Sequence, residues 1–371
     1  MSGIDELAKA AAQARRERPH VPLALVTLFA VDGSSYRQPG ARLLVDAEAR
    51  VLAGAISGGC LEGDVAVHAE AVCASGVPRL LTYDLSDDLQ TIWGFGTMCD
   101  GVAHLFVEPL GDGAWLKDVH RMRRARVPGM LVTILDESAL GGTRLLASCT
   151  DAVRASTHAL VEAATATAFP VHGSISLDEH SVRCLADPVI PPVSLVLIGA
   201  GRGAESFASI AHTLGWHVTL IDHRPFVLQS LSLPDEVVRI GARAGDGIAH
   251  LSRDERVAVA LLTHQFEIDS EWLAQLLPLE IGYVGVLGSR DRANKLMTSL
   301  RDGGLTITPR MERMLHAPIG LDLGGESPES IALASIAEIE AIMHARPGGS
   351  LRERHSPIHT RTPTPTPHVI P

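Results

Sequence analysis

Residues 196–204 read Val-Leu-Ile-Gly-Ala-Gly-Arg-Gly-Ala, an apolar strand-like run followed by a glycine-rich turn. Gly199, Gly201 and Ala204 give the spacing G-x-G-x-x-A, which lets the backbone approach a pyrophosphate and a following helix pack closely. Asp222 ends the next apolar run, where this pattern places an acid for a ribose hydroxyl. The four residues predict a dinucleotide-binding fold, but a fold alone does not establish redox chemistry.

The apolar runs around this turn extend the prediction to the whole second half of the chain. They are nearly continuous, as in parallel strands that are covered on both faces, and they alternate with helical patterns. The predicted strands are 194–198, 217–221, 257–262 and 283–287. The fold class is therefore α/β, with a Rossmann-like, doubly wound parallel sheet as the C-terminal domain.

A second glycine turn follows the last of these strands. Gly288, Ser289 and Arg290 stand between a strand and a helix, where backbone amides, a hydroxyl and a guanidinium can bind phosphate. The alternative is an ordinary turn with solvated basic residues. His316 also lies at a predicted strand end, on the side where open parallel sheets bind ligands.

The first half predicts a mixed α/β domain with hairpins, separated from the second half by prolines. We expect domains at 1–187 and 193–346, a stiff linker at 188–192, and a disordered Pro/Thr-rich tail at 347–371. Residues 131–146 repeat the pattern of residues 25–44 weakly, and short hairpins can resemble one another by chance. Residues 111–187 are therefore interpreted as an extension of the first domain.

The sequence around Cys60 is the most reactive candidate in the first half. Ser57, Gly58 and Gly59 precede Cys60 at the predicted start of a helix, where amides and the helix dipole favour an anionic ligand and a thiolate. The alternative is a tight turn with an inert, buried thiol. Cys99 lies in a second glycine-rich loop, and Arg37 and Arg42 lie near a third.

Composition limits the classes of partner. The 371 residues carry a net charge of −11, which argues against general binding to nucleic acid or to an anionic membrane. No apolar run is long enough to span a bilayer, so we expect no membrane insertion. Five scattered cysteines indicate reduced thiols and a cytoplasmic protein.

Several of these motifs, in this order, resemble the XdhC/CoxI family. The resemblance covers most of residues 20–110 and 193–345. The residues that carry it are Gly33–Arg42, Ile56–Gly63, Gly94–Cys99, Val107–Leu110, Leu287–Arg290 and His316–Asp322. It implies a maturation factor that binds molybdenum cofactor, as molybdopterin or its cytosine dinucleotide form. It also implies protection of the cofactor during sulfuration by a cysteine desulfurase, delivery to an apo molybdenum hydroxylase, and usually a homodimer.

In this interpretation Cys60, with Cys99, holds or shields the metal–sulfur centre, because thiolate is a soft ligand for molybdenum. The cofactor's phosphate or dinucleotide would lie on the backbone amides at the helix starts. Two alternatives remain open. One is an oxidoreductase that uses NAD(P) or FAD in the Rossmann-like domain, and the other is a nucleotide-sensing protein without chemistry.

Overall fold

The computed structural model of the chain describes residues 3–33, 35–84, 101–137, 141–148, 154–177 and 180–355. They form two compact units, one ending at Pro191 and one covering Pro192–His355. The predicted Cys99 loop and the predicted tail from residue 356 onward lie outside the described residues. None of the helices in the described ranges is long and apolar enough to cross a membrane.

The first unit contains four helices and nine strands in its described residues. In chain order these are α1 (Gly3–Glu17), β1 (Leu23–Gly33), β2 (Arg42–Asp46), β3 (Val51–Gly54), α2 (Glu62–Ser75), β4 (Arg79–Asp84), β5 (Gly101–Pro109), α3 (Ala114–Arg124), β6 (Gly129–Ile134), β7 (Arg144–Ser148), α4 (Arg154–Thr167), β8 (Val171–Leu177) and β9 (His180–Val189). The strands form two antiparallel sheets, with the orders β3-β2-β1-β5-β4 and β7-β6-β9-β8.

The two sheets of the first unit have the same architecture. Without β3, the first sheet has the order β2-β1-β5-β4 and the second has the order β7-β6-β9-β8. In each sheet the strands follow one another along the chain as two pairs, and one helix lies between the pairs. Helix α2 contacts β1, β2 and β5 of its sheet, and α4 contacts β8 and β9 of the other. The weak sequence repeat thus corresponds to a duplicated ββαββ unit, and residues 111–187 are its second copy.

Two buried ion pairs join these copies reciprocally. Arg42 opens β2 and places Nη1 2.6 Å from Oδ2 of Asp187, which lies in β9 of the other sheet. Arg144 opens β7 and donates to both carboxylate oxygens of Glu108, which lies in β5 of the first sheet. All four side chains are at most 8% exposed. Arg42, which was expected to bind cofactor, is therefore engaged between the two sheets.

The end of the first unit differs from the prediction. Strand β9 continues through Val189, so residues 188 and 189 of the predicted linker belong to a strand. Only residues 190–192 of that linker lie outside regular structure. Pro188 is tolerated because β8 pairs with β9 only as far as Ala186, so the missing N–H of Pro188 faces no strand on that side.

The second unit has the predicted α/β architecture. Its elements are β10 (Ser194–Ile198), α5 (Ala204–Thr213), β11 (His217–Asp222), α6 (Pro225–Ser230), β12 (Val238–Gly241), α7 (Ala244–Gly247), β13 (Val257–Leu261), α8 (Phe266–Leu276), β14 (Tyr283–Val286), α9 (Arg290–Asp302), α10 (Pro309–Met314), β15 (Leu315–His316) and α11 (Pro328–Met343). All strand pairs are parallel, in the order β12-β11-β10-β13-β14-β15.

This order reverses direction between β10 and β13, the point at which a Rossmann-type sheet binds its ligand. The four central strands, β11, β10, β13 and β14, are largely buried because apolar residues from both faces of the sheet form two clusters, one against α5 and α11 and one against α8 and α9. The prediction of a Rossmann-like C-terminal domain after a mixed α/β domain is confirmed. The carboxyl edge of this sheet positions the candidate site.

Candidate functional site

The fingerprint turn lies directly against the neighbouring strand end. Gly199 has φ +106°, and a Cβ there would lie 3.0 Å from the backbone of Thr263, so only glycine is accommodated. The amides of Gly201, Arg202 and Gly203 have no hydrogen-bond partner among the described residues. Three consecutive amides just before α5 are therefore available to a ligand, as in a pyrophosphate site.

Asp222 ends β11 beside this turn, but its carboxylate is already engaged. Oδ1 accepts the amide of Arg224 (2.9 Å) and its Nε (2.9 Å). Oδ2 accepts the amide of Ala200 (2.7 Å) and Nη2 of Arg224 (2.8 Å). Burial alone would raise the pKa of Asp222, but these bonds outweigh it and lower the pKa to about 2.

A solvent-open cleft lies beside Asp222, at the carboxyl ends of β10–β13. Its lining includes Arg224, Arg243 and Glu271, together with the buried Ile221 and Trp272. A cleft with several charged groups at this edge of a parallel sheet is a candidate ligand site.

The second glycine turn is linked to the first through buried polar groups. Thr263 donates to Asp269 (2.5 Å), and the same carboxylate accepts from Arg292 (2.5 Å). The Arg292 side chain passes over Gly288, where a Cβ would lie 2.7 Å from Arg292 Cδ. The Ser289 hydroxyl caps α9 by accepting the Arg292 amide. The turn thus holds the helix start in place, and Arg290 remains exposed.

His316 is held by two groups that the sequence did not single out. Its Nδ1 lies 3.3 Å from Oε1 of Glu338 in α11, and its ring stacks on Tyr283 with centroids 4.5 Å apart. Glu338 also accepts from the Tyr283 hydroxyl and from the amide of Gly320. Burial would raise the pKa of Glu338, but the hydrogen bonds from His316 and Tyr283 lower it. His316 therefore has a fixed orientation.

In the first unit, the turn before α2 folds around its own glutamate. Glu62 accepts the amides of Ile56 (3.2 Å) and Ser57 (2.9 Å) and the Ser57 hydroxyl. The Ser57 oxygen in turn accepts the amides of Gly59 (3.0 Å) and Leu61 (3.2 Å). Burial opposes a charged Glu62, but these hydrogen bonds lower its pKa below the usual range. Most amides expected for a ligand are therefore used internally.

Two backbone amides of this turn stay unbonded in the described structure, one of them that of Cys60. Within 56–61, only the amides of Gly58 and Cys60 lack a partner in the described structure. The Tyr36 ring lies over the turn, since a Cβ at Gly58 would meet it at 3.7 Å. Arg37 is exposed, and its guanidinium carbon lies 5.9 Å from the Tyr36 ring centroid. The Cys60 thiol is partly buried against the core of the first sheet.

The other described thiols are poor candidates. Burial raises the pKa of Cys73 to about 11 and that of Cys184 to about 12, so both are protonated at neutral pH. In the described ranges, no group of three or more His, Cys, Asp or Glu side chains could hold a metal ion. Cys60 is therefore not part of such a group within those ranges.

Comparison with known proteins matches both halves of the chain. Residues 17–84 match the XdhC and CoxI family, and residues 195–339 match the XdhC Rossmann domain. The chain belongs to the XdhC/CoxI family. It is 26% identical to a probable xanthine dehydrogenase subunit of Bacillus subtilis, over 85% of this chain and 91% of that protein. It is 24% identical to the molybdenum cofactor insertion chaperone PaoD of Escherichia coli, over 86% of this chain and 82% of PaoD.

A solved structure shows the same fold. The crystal structure described as a xanthine dehydrogenase from Bacillus halodurans superposes with a TM-score of 0.71 at 25% identity, covering 93% of this chain and 97% of that one. The similarity therefore extends over nearly the whole length of both chains.

The structure groups the predicted residues of this XdhC/CoxI protein into separate sets. One set is at the Cys60 turn with Arg37, and the other is along the carboxyl edge of the Rossmann sheet, from Asp222 to His316. Arg42 joins neither. The sequence did not assign Glu62, Arg224 or Glu338 to a site, although Glu62 stood in the motif and Arg224 follows the fingerprint acid by two residues.

Proposed function

We propose that this protein is a maturation factor that binds molybdenum cofactor, protects it during sulfuration and delivers it to an apo molybdenum hydroxylase of the xanthine dehydrogenase or CO dehydrogenase type. The observation that carries the proposal is the alignment with PaoD, which extends over both units rather than over the Rossmann domain alone. Membership of the XdhC/CoxI family supports the same maturation role.

The Cys60 turn has the chemistry that a cofactor carrier needs. The Cys60 thiolate is a soft ligand that can hold or shield the molybdenum–sulfur centre. The free amides of Gly58 and Cys60 can donate to its oxygen or phosphate groups, and the Tyr36 ring and Arg37 lie on the solvent side. Ser57 and Glu62 keep the turn in place by satisfying the other amides.

The proposal includes partners. The cargo is molybdopterin or its cytosine dinucleotide form, the sulfur donor is a cysteine desulfurase, and the recipient is the apo-hydroxylase. We propose that the protein acts in the cytoplasm as a homodimer, and that Cys99, with Cys60, faces the cargo. Size-exclusion chromatography with light scattering of the purified protein measures the oligomeric state directly.

The central experiment measures what the protein carries. The full chain is produced in cells that make the cofactor, and molybdenum and pterin are quantified per chain. We expect wild type to retain both and Cys60→Ala to lose most of the molybdenum. Cys73→Ala is the matched control, because Cys73 lies in the adjacent helix and its raised pKa keeps it protonated. Equal, stoichiometric retention by wild type and Cys60→Ala removes Cys60 from the site.

Delivery is tested separately. Loaded protein is mixed with purified apo-hydroxylase, and hydroxylase activity is followed with and without cysteine desulfurase and cysteine. We expect activity only when the carrier is loaded and sulfur is supplied. Activation by free cofactor at the same rate contradicts a delivery role.

The second candidate is an oxidoreductase that uses NAD(P) or a flavin. The fixed His316–Glu338 pair favours it, because a histidine oriented by a carboxylate can transfer a proton near a bound dinucleotide. This candidate predicts a bound flavin or consumption of NAD(P)H, which Gly201→Asp abolishes. Absence of both in the folded protein contradicts it.

A further inference from the structure

The acid of the dinucleotide fingerprint has no acceptor capacity left for a ribose. A carboxylate offers about four lone-pair sites, and the Asp222 oxygens accept four N–H groups, three of them from Arg224 and one from Ala200. The Asp222 side chain is only 2% exposed. A sugar hydroxyl could bind it only by displacing the Arg224 guanidinium, so ribose recognition by this acid is blocked.

Two arginines follow the ends of β11 and β12, beside the fingerprint acid. Asp222 and Gly241 are register partners in the parallel strands β11 and β12, so Arg224 and Arg243 follow at the same level of neighbouring strands. The Arg224 side chain is 46% exposed, and Arg243 is exposed with no ion pair in the described structure. Both line the pocket. Paired guanidiniums of this kind bind phosphate with charge-assisted hydrogen bonds.

The rest of the pocket suits a purine. The partly exposed Ile268 offers an apolar surface to a base, and Ile221 and Trp272 are buried parts of the same lining. Glu271, the second carboxylate of the pocket lining, pairs with neither arginine in the part of the chain that the structure describes, and it offers an acceptor to the amino group of adenine. The three free amides at Gly201–Gly203 lie at the adjoining turn for a pyrophosphate.

We propose that the Rossmann unit binds an adenine dinucleotide whose ribose carries a 2′-phosphate, held by Arg224 and Arg243, and discriminates against the same nucleotide with a free 2′-hydroxyl. The proposal goes beyond the maturation role and does not depend on it. Loss of molybdenum retention in Cys60→Ala and loss of this nucleotide preference can each occur without the other.

The test is titration calorimetry on the full chain with NADP⁺, NAD⁺, 2′,5′-ADP and 5′-AMP. We expect the 2′-phosphorylated ligand of each pair to bind about tenfold more tightly or better, the range of one charge-assisted contact. Arg243→Gln should remove most of that preference. Arg253→Gln, an exposed arginine in the same unit that lines no part of the pocket, should keep it.

Asp222→Asn separates the two modes of recognition. If the acid binds ribose, this variant loses NAD⁺ affinity; if Arg224 and Arg243 bind phosphate, it keeps NADP⁺ affinity within about threefold. Thermal unfolding of each variant confirms that it is folded. Equal affinities for NADP⁺ and NAD⁺, tighter NAD⁺ binding, or no binding of either to the folded wild type overturns the proposal.

Discussion

Two turns in this molecule each contain a glycine with nearly the same positive φ, but they differ in how many of their amides are hydrogen-bonded. Gly59, before α2, has φ +108°, and Gly199, after β10, has φ +106°. At the first turn, Glu62 and Ser57 bind four of the six amides in 56–61. At the second, the amides of Gly201–Gly203 are free of protein partners in the described structure.

The difference shows that a glycine-rich helix start is not by itself an anion site. A carboxylate a few residues along the chain can occupy the amides and convert the turn into a rigid support for a neighbouring side chain, here Cys60. In the Rossmann unit the nearby acid, Asp222, accepts the Ala200 amide but none from Gly201–Gly203, and its other bonds are to Arg224, so these three amides remain open in the described structure.

The largest expected effect tests the crowding around the second turn. Gly199→Ala imposes a strained φ, about 1–3 kcal/mol, and drives a methyl into the backbone of Thr263, about 1–3 kcal/mol more. Gly59→Ala, the matched control, has the same φ but nothing within 4 Å. We expect urea denaturation to show the larger loss of unfolding free energy for Gly199→Ala. Equal losses contradict the packing difference.

Next in size is the removal of the internal acceptor of the first turn. Glu62→Ala leaves the amides of Ile56 and Ser57 without their partner, and we expect a loss of about 2 kcal/mol in unfolding free energy. Glu70→Ala, an exposed position on the same helix, should change it by less than about 0.5 kcal/mol. If both substitutions cost the same, the amides of the turn do not depend on Glu62.

The Asp222 carboxylate gives a similar but pH-dependent effect. Its pKa is lowered from 3.8 to about 2 in the folded state, so its stabilisation is full above the unfolded pKa and is lost as pH falls towards 2. The contribution at neutral pH is on the order of 2 kcal/mol. We expect wild type to lose more stability than Asp222→Asn between about pH 5 and pH 3. Parallel pH profiles of the two proteins would falsify this linkage.

The smallest expected effect concerns the cover of the first turn. The Tyr36 residue is 66% exposed, and its ring lies beside Gly58 without being packed into the core. Tyr36→Ala should therefore change the unfolding free energy by less than about 0.5 kcal/mol. Under the proposed function the same variant should retain less molybdenum, because the ring covers the Cys60 turn. Unchanged molybdenum content shows that the ring plays no part in cargo binding.

The sequence predicts the Rossmann unit well because local and long-range signals agree there. The apolar run ending at Ile198, the glycines after it and the acid at Asp222 each point to the same strand–turn–helix–strand unit, and the structure has it. Helix α11 begins after Ser327, whose side-chain oxygen accepts the amide of Ser330, and serine is a preferred residue at this cap position.

The sites are less predictable because they depend on which side chains meet. Nothing local shows that Arg42 ion-pairs with Asp187 from a distant strand, or that Glu338 of the last helix orients His316. The β9 strand was missed because Asp187 and Pro188 are typical of linkers, while its pairing with β6 is a tertiary contact. Spacing along the chain contains no information about such encounters.

The reciprocal ion pairs also limit when the first unit can fold. Arg42 and Glu108 belong to the first ββαββ copy, but their ion-pair partners Asp187 and Arg144 belong to the second. An isolated buried charge is costly, so the first copy cannot complete its core alone. During synthesis, we expect the first copy to fold completely only after the chain has been synthesised through β9. A fragment that ends before α3 should be degraded by proteases rather than form a stable domain.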